Sequence, residues 1–435
     1  MRQDKLARLL PVKVRIGKIA SSVLRGVLTL PFMNKRTRGK IEMSTRPYVI
    51  SKDEFCSRVE RTQEAMVDAG LDILITFGNE AEPQYVRYYA DYWPSFETAS
   101  VCIPLVGEPV LLIGPESGTY SAYWSKIEAI ERIKVLRESS EPEYPGEKLN
   151  TLYNLFNRYL NEDSMRRIGI VGYPFMSAPV YKAICETAAA FGCEVVRAEQ
   201  LVINLKMIKS QQEVAIMKHA AKISEQALGK VLEIIKLGMT ETQVVGEAER
   251  EIRALGAENE AYPMWCLSGA NTQHAIGRPD ANKVIHEGEL VQLQFGARVA
   301  GYASSVGRPV AMGKVSDEIL ELMDIGLEAH LATIECMRAG IPAKEVDRRY
   351  REVLKKRGAA GCNLYGPCHG SGLMEGEHPW IESNSDYLLK ENMTYCVDTF
   401  LKRNGYGLRW ENQVCVKEGG VDQFTDKYLK VMRIG

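Results

Sequence analysis

The sequence predicts an α/β domain followed by an α+β domain in which one structural motif occurs twice. Three observations support this fold class. Short apolar runs alternate with helical spacing over residues 44–205. A capping pattern at Ser210 then opens a long amphipathic helix, and a helix bounded by glycines recurs after it. We therefore expect a first domain at residues 44–205 and a second at residues 206–435, with a basic leader at residues 1–43.

The elements of the first domain follow from periodicity and from the residues that bound each run. Helical spacing at residues 55–69 ends at Gly70, and a second helical stretch occupies residues 178–190. Short apolar runs bounded by Gly, Pro and charged residues predict strands at residues 73–77, 100–104, 110–114, 168–171 and 194–197. No glycine-rich phosphate loop follows the first of these strands, which argues against a nucleotide-binding role.

The second domain carries the repeat. Ser210-Gln-Gln-Glu213 is a capping box. Gly238 and Gly256 are 18 residues apart and enclose one helical pattern, and two further glycines with the same spacing enclose another at residues 340–358. Each copy leads to a strand, at residues 290–295 and 393–400. We expect the two copies to form a pseudo-twofold pair.

The duplication places Gln294 opposite Asp398, and Ser305 opposite Glu411. A site that binds two divalent cations needs several carboxylates, and a symmetric site would draw them from both halves. Here the first half offers only a neutral amide and a hydroxyl. The sequence therefore predicts a two-metal site with half of its acidic ligands missing.

Bulk composition excludes several classes of protein. The net charge of -1 argues against an electrostatic nucleic-acid binder. Ten cysteines without a C-x-x-C pair are typical of a reducing, cytoplasmic environment, and no apolar run is long enough to span a membrane. Residues 1–43 carry eleven Lys and Arg against Asp4 and Glu42, a composition that would suit contact with an anionic membrane surface. We expect instead a disordered leader, or a working start at Met43.

With these motifs the chain resembles the M24 superfamily of creatinase, aminopeptidase P and prolidase, whose catalytic domain has the "pita-bread" fold. Family members hold two metal ions with two Asp, one His and two Glu. Five positions carry the resemblance: Gln294 and Ser305 at the two Asp positions, His369 before Gly370, Asp398 in place of the first Glu, and Glu411 as the second. Arg308 and Arg409 match arginines that accompany these ligands.

The loss of both Asp resembles the metal-free creatinase branch, so the resemblance does not by itself imply a metal. Gly307 stands where creatinase has a Glu, which argues against creatine as the substrate. We expect no metal cofactor. The alternative is a single divalent ion, Mn or Zn, bound by His369, Asp398 and Glu411.

Three histidines are candidate catalytic residues. His369 is the first of them, while His274 and His378 resemble family histidines at shifted positions. The candidate substrate-binding residues are Asp398, Glu411, Arg308, Arg409, Gln294 and Ser305. The other three histidines, His219, His286 and His330, are predicted to lie on helix or loop surfaces.

The first functional hypothesis is a cytoplasmic, homodimeric hydrolase that cleaves a C–N bond of a small molecule without a dinuclear centre. In it a histidine activates water, and Asp398 and Glu411 orient a cationic group of the substrate. The second is a peptidase of the Xaa-Pro type with one metal ion and a short-peptide substrate. The third is a catalytically inactive protein that binds a small ligand or a partner.

Overall fold

Two large β-sheets organise the part of the chain described by the structure, a computed structural model that covers residues 48–161 and 164–435. The leader expected at residues 1–43 lies outside the described residues. A six-stranded sheet belongs to the first part of the chain and a nine-stranded sheet to the second. The order of an α/β region followed by an α+β region is as the sequence predicts.

The first region is a mixed sheet with helices on both faces. Its elements in chain order are α1 (Lys52–Ala69), β1 (Ile73–Gly78), α2 (Gln84–Ala90), β2 (Ala99–Pro104), β3 (Val110–Ile113), α3 (Gly118–Trp124), β4 (Ala129–Arg132), α4 (Leu152–Tyr159), β5 (Arg167–Val171), α5 (Ala178–Ala190), β6 (Glu194–Arg197) and α6 (Glu199–Lys206). Short 3₁₀ turns lie at Lys134–Leu136 and Tyr173–Phe175. The strand order is β4-β3-β2-β1-β5-β6. All five predicted strands and both predicted helices are present.

Coverage of both sheet faces explains why β1 reads as an unbroken apolar run. Leu74 packs in the same cluster as Phe55 of α1 and Val86 of α2. Ile75 packs on the opposite face with Phe156 of α4. A strand buried on both faces does not show the alternation of a half-exposed strand.

The second region contains the remaining elements: α7 (Gln211–Ile234), α8 (Glu241–Ala254), β7 (Asn259–Glu260), β8 (Trp265–Ser268), β9 (Leu290–Phe295), β10 (Ala297–Val299), β11 (Tyr302–Ala303), β12 (Val306–Met312), α9 (Asp317–Cys336), α10 (Ala343–Lys356), β13 (Cys368–Gly370), β14 (Glu377–Ile381), β15 (Thr394–Arg403), β16 (Tyr406–Lys417), β17 (Gly420–Gln423) and β18 (Met432–Ile434). A 3₁₀ helix occupies Gly269–Gln273. The large sheet follows the order β14-β13-β15-β16-β12-β9-β8, with β17 on β16 and β18 on β12. A small sheet joins β11, β10 and β7.

The internal duplication is visible in matching backbone contacts. Gly238 and Gly340 both adopt positive φ, at 88° and 85°, just before α8 and α10. The Gly238 amide donates to the Ile285 carbonyl at 3.0 Å, and the Gly340 amide donates to the Leu389 carbonyl at 2.8 Å. Only glycine adopts this backbone conformation readily, so the same turn recurs for the same reason. The predicted pseudo-twofold arrangement is confirmed.

Buried ion pairs join the first region to the second. Arg58 of α1 lies 3.5 Å from Glu213 of α7, and both side chains are almost fully buried. Lys206 at the end of α6 lies 3.0 Å from Glu377 of β14. The two regions therefore share an interface that contains paired charges as well as apolar contacts.

Among the described residues, no helix combines the length and the apolar composition needed to cross a bilayer.

Candidate active site

Register in the large sheet brings the two halves of the repeat together. Gly307 of β12 pairs with Gln294 of β9 on one side and with Glu411 of β16 on the other. Asp398 of β15 pairs with Glu411 in turn. These residues therefore form a row across four adjacent strands. His369 joins them from β13, where it pairs with Cys396 of β15.

The glycine at position 307 permits direct contact between the side chains of Gln294 and Glu411. A Cβ at this position would clash with the Gln294 side chain and lie 3.0 Å from the Glu411 Cβ. The Gln294 amide nitrogen donates to Glu411 Oε2. The space beside Gly307 is thus occupied by the Gln294 amide.

Gln294 and Ser305 form one hydrogen-bonded group with a tyrosine. Gln294 Nε2 donates to Ser305 Oγ at 3.0 Å, and the hydroxyls of Ser305 and Tyr262 are 2.8 Å apart. Both Gln294 and Ser305 are fully buried. Gln294 Oε1 and Glu411 Oε1 have no hydrogen-bond partner. Because a buried polar atom without a partner costs free energy, these two oxygens are positions at which a bound cation would be stabilised.

Four side chains of metal-binding type surround this point. Ligand atoms of His369, Glu375, Cys396 and Glu411 all lie within 4.8 Å of one another. His369 Nε2 is 3.5 Å from Glu375 Oε1. The His369 ring also contacts Trp380, with centroids 5.1 Å apart. An imidazole, a thiol and two carboxylates are a donor set that fits one divalent ion.

Burial and the charges of neighbouring side chains shift the pKa values of three residues in this cluster. Burial by itself would lower the pKa of His369, but the carboxylates of Glu375, Glu411 and Asp398 outweigh it and raise that pKa. Burial, with the neighbouring Glu375 charge, raises the pKa of Glu411 to about 7. Burial and the two nearby glutamates raise the pKa of Cys396 well above its ordinary value. Such a group of mutually repelling acids favours a bound cation.

Asp398 lies beside the cluster but is already paired. Its Oδ1 is 2.7 Å from Arg409 Nε, and its Oδ2 accepts from the Tyr365 hydroxyl at 2.7 Å. Arg409 also donates to Tyr365 at 2.6 Å and to the Ala275 carbonyl at 2.9 Å. The sequence analysis gave His369, Asp398 and Glu411 as the alternative ligand set. The four-residue cluster contains His369 and Glu411 but not Asp398.

Arg308 is not a substrate contact. It is fully buried, and its guanidinium donates to the carbonyls of Gly307, Glu411 and Lys427. Burial, which is only partly offset by nearby acids, lowers the pKa of Arg308 to about 10. This correction has a simple cause, since Arg308 alternates with Gly307 along β12 and points away from the row of site residues.

The other two candidate histidines are exposed at the surface. His274 follows the 3₁₀ helix Gly269–Gln273, in a loop that Glu241 holds by accepting from Ser268 and from the Asp280 amide. His378 lies on β14. The structure thus brings only His369 into the buried cluster.

Glu375 and Cys396 were missed by the sequence prediction. Cys396 precedes Asp398 by two positions on β15, so the alternation of a strand places both side chains on the same face. Glu375 lies in the turn between β13 and β14, six residues after His369. The period of a strand was a usable signal for Cys396, whereas the path of a turn is not encoded in spacing.

Comparisons with known proteins agree on one family. Residues 215–418 match metallopeptidase family M24. An uncharacterized peptidase of Bacillus subtilis is 29% identical over 238 residues, which are 54% of this chain and 66% of that protein. The chain thus spans about two thirds of that relative's length. An Xaa-Pro dipeptidase of Pyrococcus furiosus is 26% identical over 326 residues, which are 74% of this chain and 88% of that protein.

Solved structures show the same fold. An X-Pro aminopeptidase from Thermotoga maritima superposes with a TM-score of 0.74 at 23% identity and covers 86% of this chain and 99% of its own. An Xaa-Pro dipeptidase from Bacillus anthracis gives 0.73 at 24% identity and covers 87% and 100%. At these identities the likeness concerns the fold, which runs through both regions of the chain.

Proposed function

This chain belongs to the M24 superfamily of hydrolases, and from that membership we propose that it cleaves the amide bond of a short peptide with one divalent ion. The observation that carries this proposal is the meeting of His369 and Glu411 within one buried cluster. The two residues come from β13 and β16, so the fold has to be complete to assemble them. Both occupy positions at which the family places ligands.

The family description favours this reading over the metal-free site that we expected first. The matched family is named for metallopeptidases, and two of the relatives reported above are named as a peptidase and a dipeptidase. The donor types within the cluster support a single ion, while neutral Gln294 and Ser305 leave a second ion without carboxylates. The one-ion alternative of the sequence analysis thus becomes the principal proposal.

A divalent ion at this site would polarise the scissile carbonyl and lower the pKa of a water molecule. The protein's own groups hold the surrounding charges in place. Gln294 fixes one oxygen of Glu411, and the Tyr262 and Ser305 hydroxyls lie next to it. Hydrolysis adds the hydroxyl of water to the carbonyl carbon, breaks the C–N bond and delivers a proton to the leaving nitrogen.

Aromatic and apolar side chains around the cluster support an apolar residue in the substrate. Trp380 contacts His369, and Trp265 packs under the guanidinium of Arg409 at 5.3 Å. Exposed Ile276 and Leu364 adjoin the two residues that Arg409 bonds, Ala275 and Tyr365. A flat or ring-shaped residue such as proline packs well on surfaces of this kind.

The proposal is tested with a panel of dipeptides, with and without proline at the second position, and a set of small amidines. The protein is stripped with chelator and then supplied with Zn²⁺, Co²⁺ or Mn²⁺. We expect release of free amino acid only after metal is restored. His369→Ala should lower kcat/KM by at least about 100-fold, the lower range for loss of one catalytic group, while the exposed control His286→Ala should not.

Three other outcomes would contradict the peptidase proposal. Cleavage of an amidine by the stripped protein would favour metal-free C–N hydrolysis and overturn the peptidase proposal. Thermal stabilisation by a dipeptide without any product would favour a binding protein. Full activity of His369→Ala would show that the cluster around His369 is not the active site.

A further inference from the structure

We propose that the ion of this site is bound through the thiolate of Cys396 together with His369, Glu375 and Glu411, and that the site selects zinc-like ions over Mn²⁺ and Mg²⁺. This inference concerns the same site as the proposed function. It rests on the proposed function in that a divalent ion is bound here, while the ligand set follows from the cluster geometry and does not depend on hydrolysis of a peptide.

The carboxylate of Glu411 is already prepared as a ligand. Its side chain is 1% exposed, Oε2 accepts from Gln294, and Oε1 has no partner. An unpaired carboxylate oxygen in the interior is costly, and a cation in contact with it removes that cost. Gln294 therefore acts as an outer partner that orients a ligand, as such partners do in known metal sites.

A backbone hydrogen bond orients the His369 ring for metal binding. Its Nδ1 lies 3.1 Å from the Gly370 carbonyl, so the proton on Nδ1 is donated to the backbone. When the ring is neutral, the lone pair is on Nε2, which lies 3.5 Å from Glu375 Oε1. This is the tautomer that binds a metal ion through Nε2.

Asp398 is held by its own partners, of which Arg409 is close as an ion pair without an aligned hydrogen bond to Asp398 Oδ1. One oxygen faces Arg409 and the other accepts from Tyr365. Arg409 cannot lose its charge, so releasing Asp398 would leave a buried cation unpaired. Cys396, two residues earlier on the same face of β15, has no arginine partner, and its thiol interacts with the carboxylate of Glu411.

Charge and softness together select the ion. Two glutamates and a thiolate carry three negative charges, so one divalent ion leaves a single net negative charge, and the neutral Gln294 and Ser305 add none for a second ion. Thiolate and imidazole ligands favour Zn²⁺ and its analogue Co²⁺, whereas Mn²⁺ and Mg²⁺ favour oxygen ligands. On binding, the Cys396 S–H bond breaks, a sulfur–metal bond forms and the proton leaves to solvent without any change in oxidation state.

Cobalt is the probe for the test, because a thiolate bound to Co²⁺ gives a sulfur-to-metal charge-transfer band in the near ultraviolet. The full-length protein is stripped with chelator and titrated with Co²⁺, and Zn²⁺ content per chain is measured separately by plasma mass spectrometry. We expect one ion per chain and a charge-transfer band that saturates at one equivalent. Mn²⁺ should not displace the bound Co²⁺.

Variants assign the band to one sulfur. Cys396→Ser should abolish it and weaken Zn²⁺ binding by more than the roughly 10- to 100-fold that an outer partner contributes. Cys368→Ser is the matched control, because Cys368 is equally buried on the adjacent strand but lies outside the cluster. Glu375→Gln, at a side chain that is 23% exposed, weakens binding with less risk to folding.

The result that overturns the inference is a Co²⁺ complex without a charge-transfer band, or a band that persists in Cys396→Ser protein whose circular dichroism spectrum is unchanged. Absence of any stoichiometric ion overturns it as well. If the ion and band are present but no peptide is cleaved, the proposed function fails while the metal site remains.

Discussion

His330 is a buried base that the sequence pattern placed at the surface. It lies within α9 with no exposed surface, its Nδ1 is 3.3 Å from Thr399 Oγ1, and its Nε2 has no partner. The expectation of an exposed helix residue is therefore wrong. Burial, with a smaller effect of Arg308, lowers the pKa of His330 to about 3.

This shift predicts a loss of stability in mild acid. The folded protein keeps His330 neutral, but the unfolded chain binds a proton once the pH falls below the ordinary value of 6.5. Stability contributed by the neutral ring is thus present above pH 6.5 and declines as the pH falls, by up to about 1.4 kcal/mol per pH unit. In His330→Asn this part of the pH dependence should disappear.

The measurement is urea unfolding of both proteins at several values from pH 7.5 to 5, where the difference in unfolding free energy should narrow steadily toward acid. His286→Asn, at an exposed histidine, is the control and should keep the pH dependence of the natural chain. A constant difference across the range would show that His330 binds protons equally in the folded and unfolded states.

The site residues differ in how well their positions could be predicted from the sequence. The eleven-residue spacing of Gln294 and Ser305 and the local pattern around His369 indicated residues that the structure brings close together, because strands and turns of fixed length carry them. The partner of Asp398 was not predictable, because Arg409 reaches it across the β15–β16 pair. Contacts set by strand register need coordinates.

Helix boundaries are the elements that the sequence specifies most fully. Ser210 accepts from the Glu213 amide at 3.2 Å, and Glu213 accepts from the Ser210 amide at 2.7 Å, as the capping box predicts. By contrast, Ser177 precedes α5 without a side-chain cap bond. Ser210 and Ser177 are both N-cap residues, but only the Ser210 side chain accepts a hydrogen bond from a backbone amide of its helix.

Ser210→Ala should destabilise the protein by about 1 kcal/mol, because an amide at the start of α7 loses its partner. Ser177→Ala, where no such bond exists, should change stability by less than about 0.5 kcal/mol. Both are measured as shifts in the urea midpoint. Equal effects of the two changes would contradict the role assigned to the cap.

Several short strands were not predicted from the sequence, and neither were the longer strands β12 and β16. β7, β10 and β11 have two or three residues each and exist because they pair with one another. Such segments have too few residues for an apolar period to be visible. The long runs β1, β9 and β15 were predicted, since their burial imposes an apolar composition over several residues.

At the scale of the whole molecule, Glu377 is one of the residues whose buried ion pairs join the two regions. It lies 3.0 Å from Lys206 and 3.6 Å from Lys209, and all three side chains are nearly fully buried. Lys206 and Lys209 more than offset the effect of burial and hold the pKa of Glu377 below its ordinary value. Removing the acid would leave two ammonium groups in the interior.

Glu377→Gln should lower the free energy of unfolding by about 3–5 kcal/mol, the cost of an unpaired buried charge. The connection at residues 207–210 should also become more sensitive to limited proteolysis. Glu382→Gln, at an exposed acid nearby, is the control and should change neither. Unchanged stability of Glu377→Gln would show that the lysines find other partners.

The burial of these pairs has a consequence for ionic strength. Counterions screen charges that face water, such as Lys52 and Glu128, whose side chains are 63% and 85% exposed. They do not reach Lys206 and Glu377, which are 7% and 4% exposed. Concentrated salt should thus weaken the exposed ion pairs of this chain. It should not weaken the buried ion pairs between its two regions.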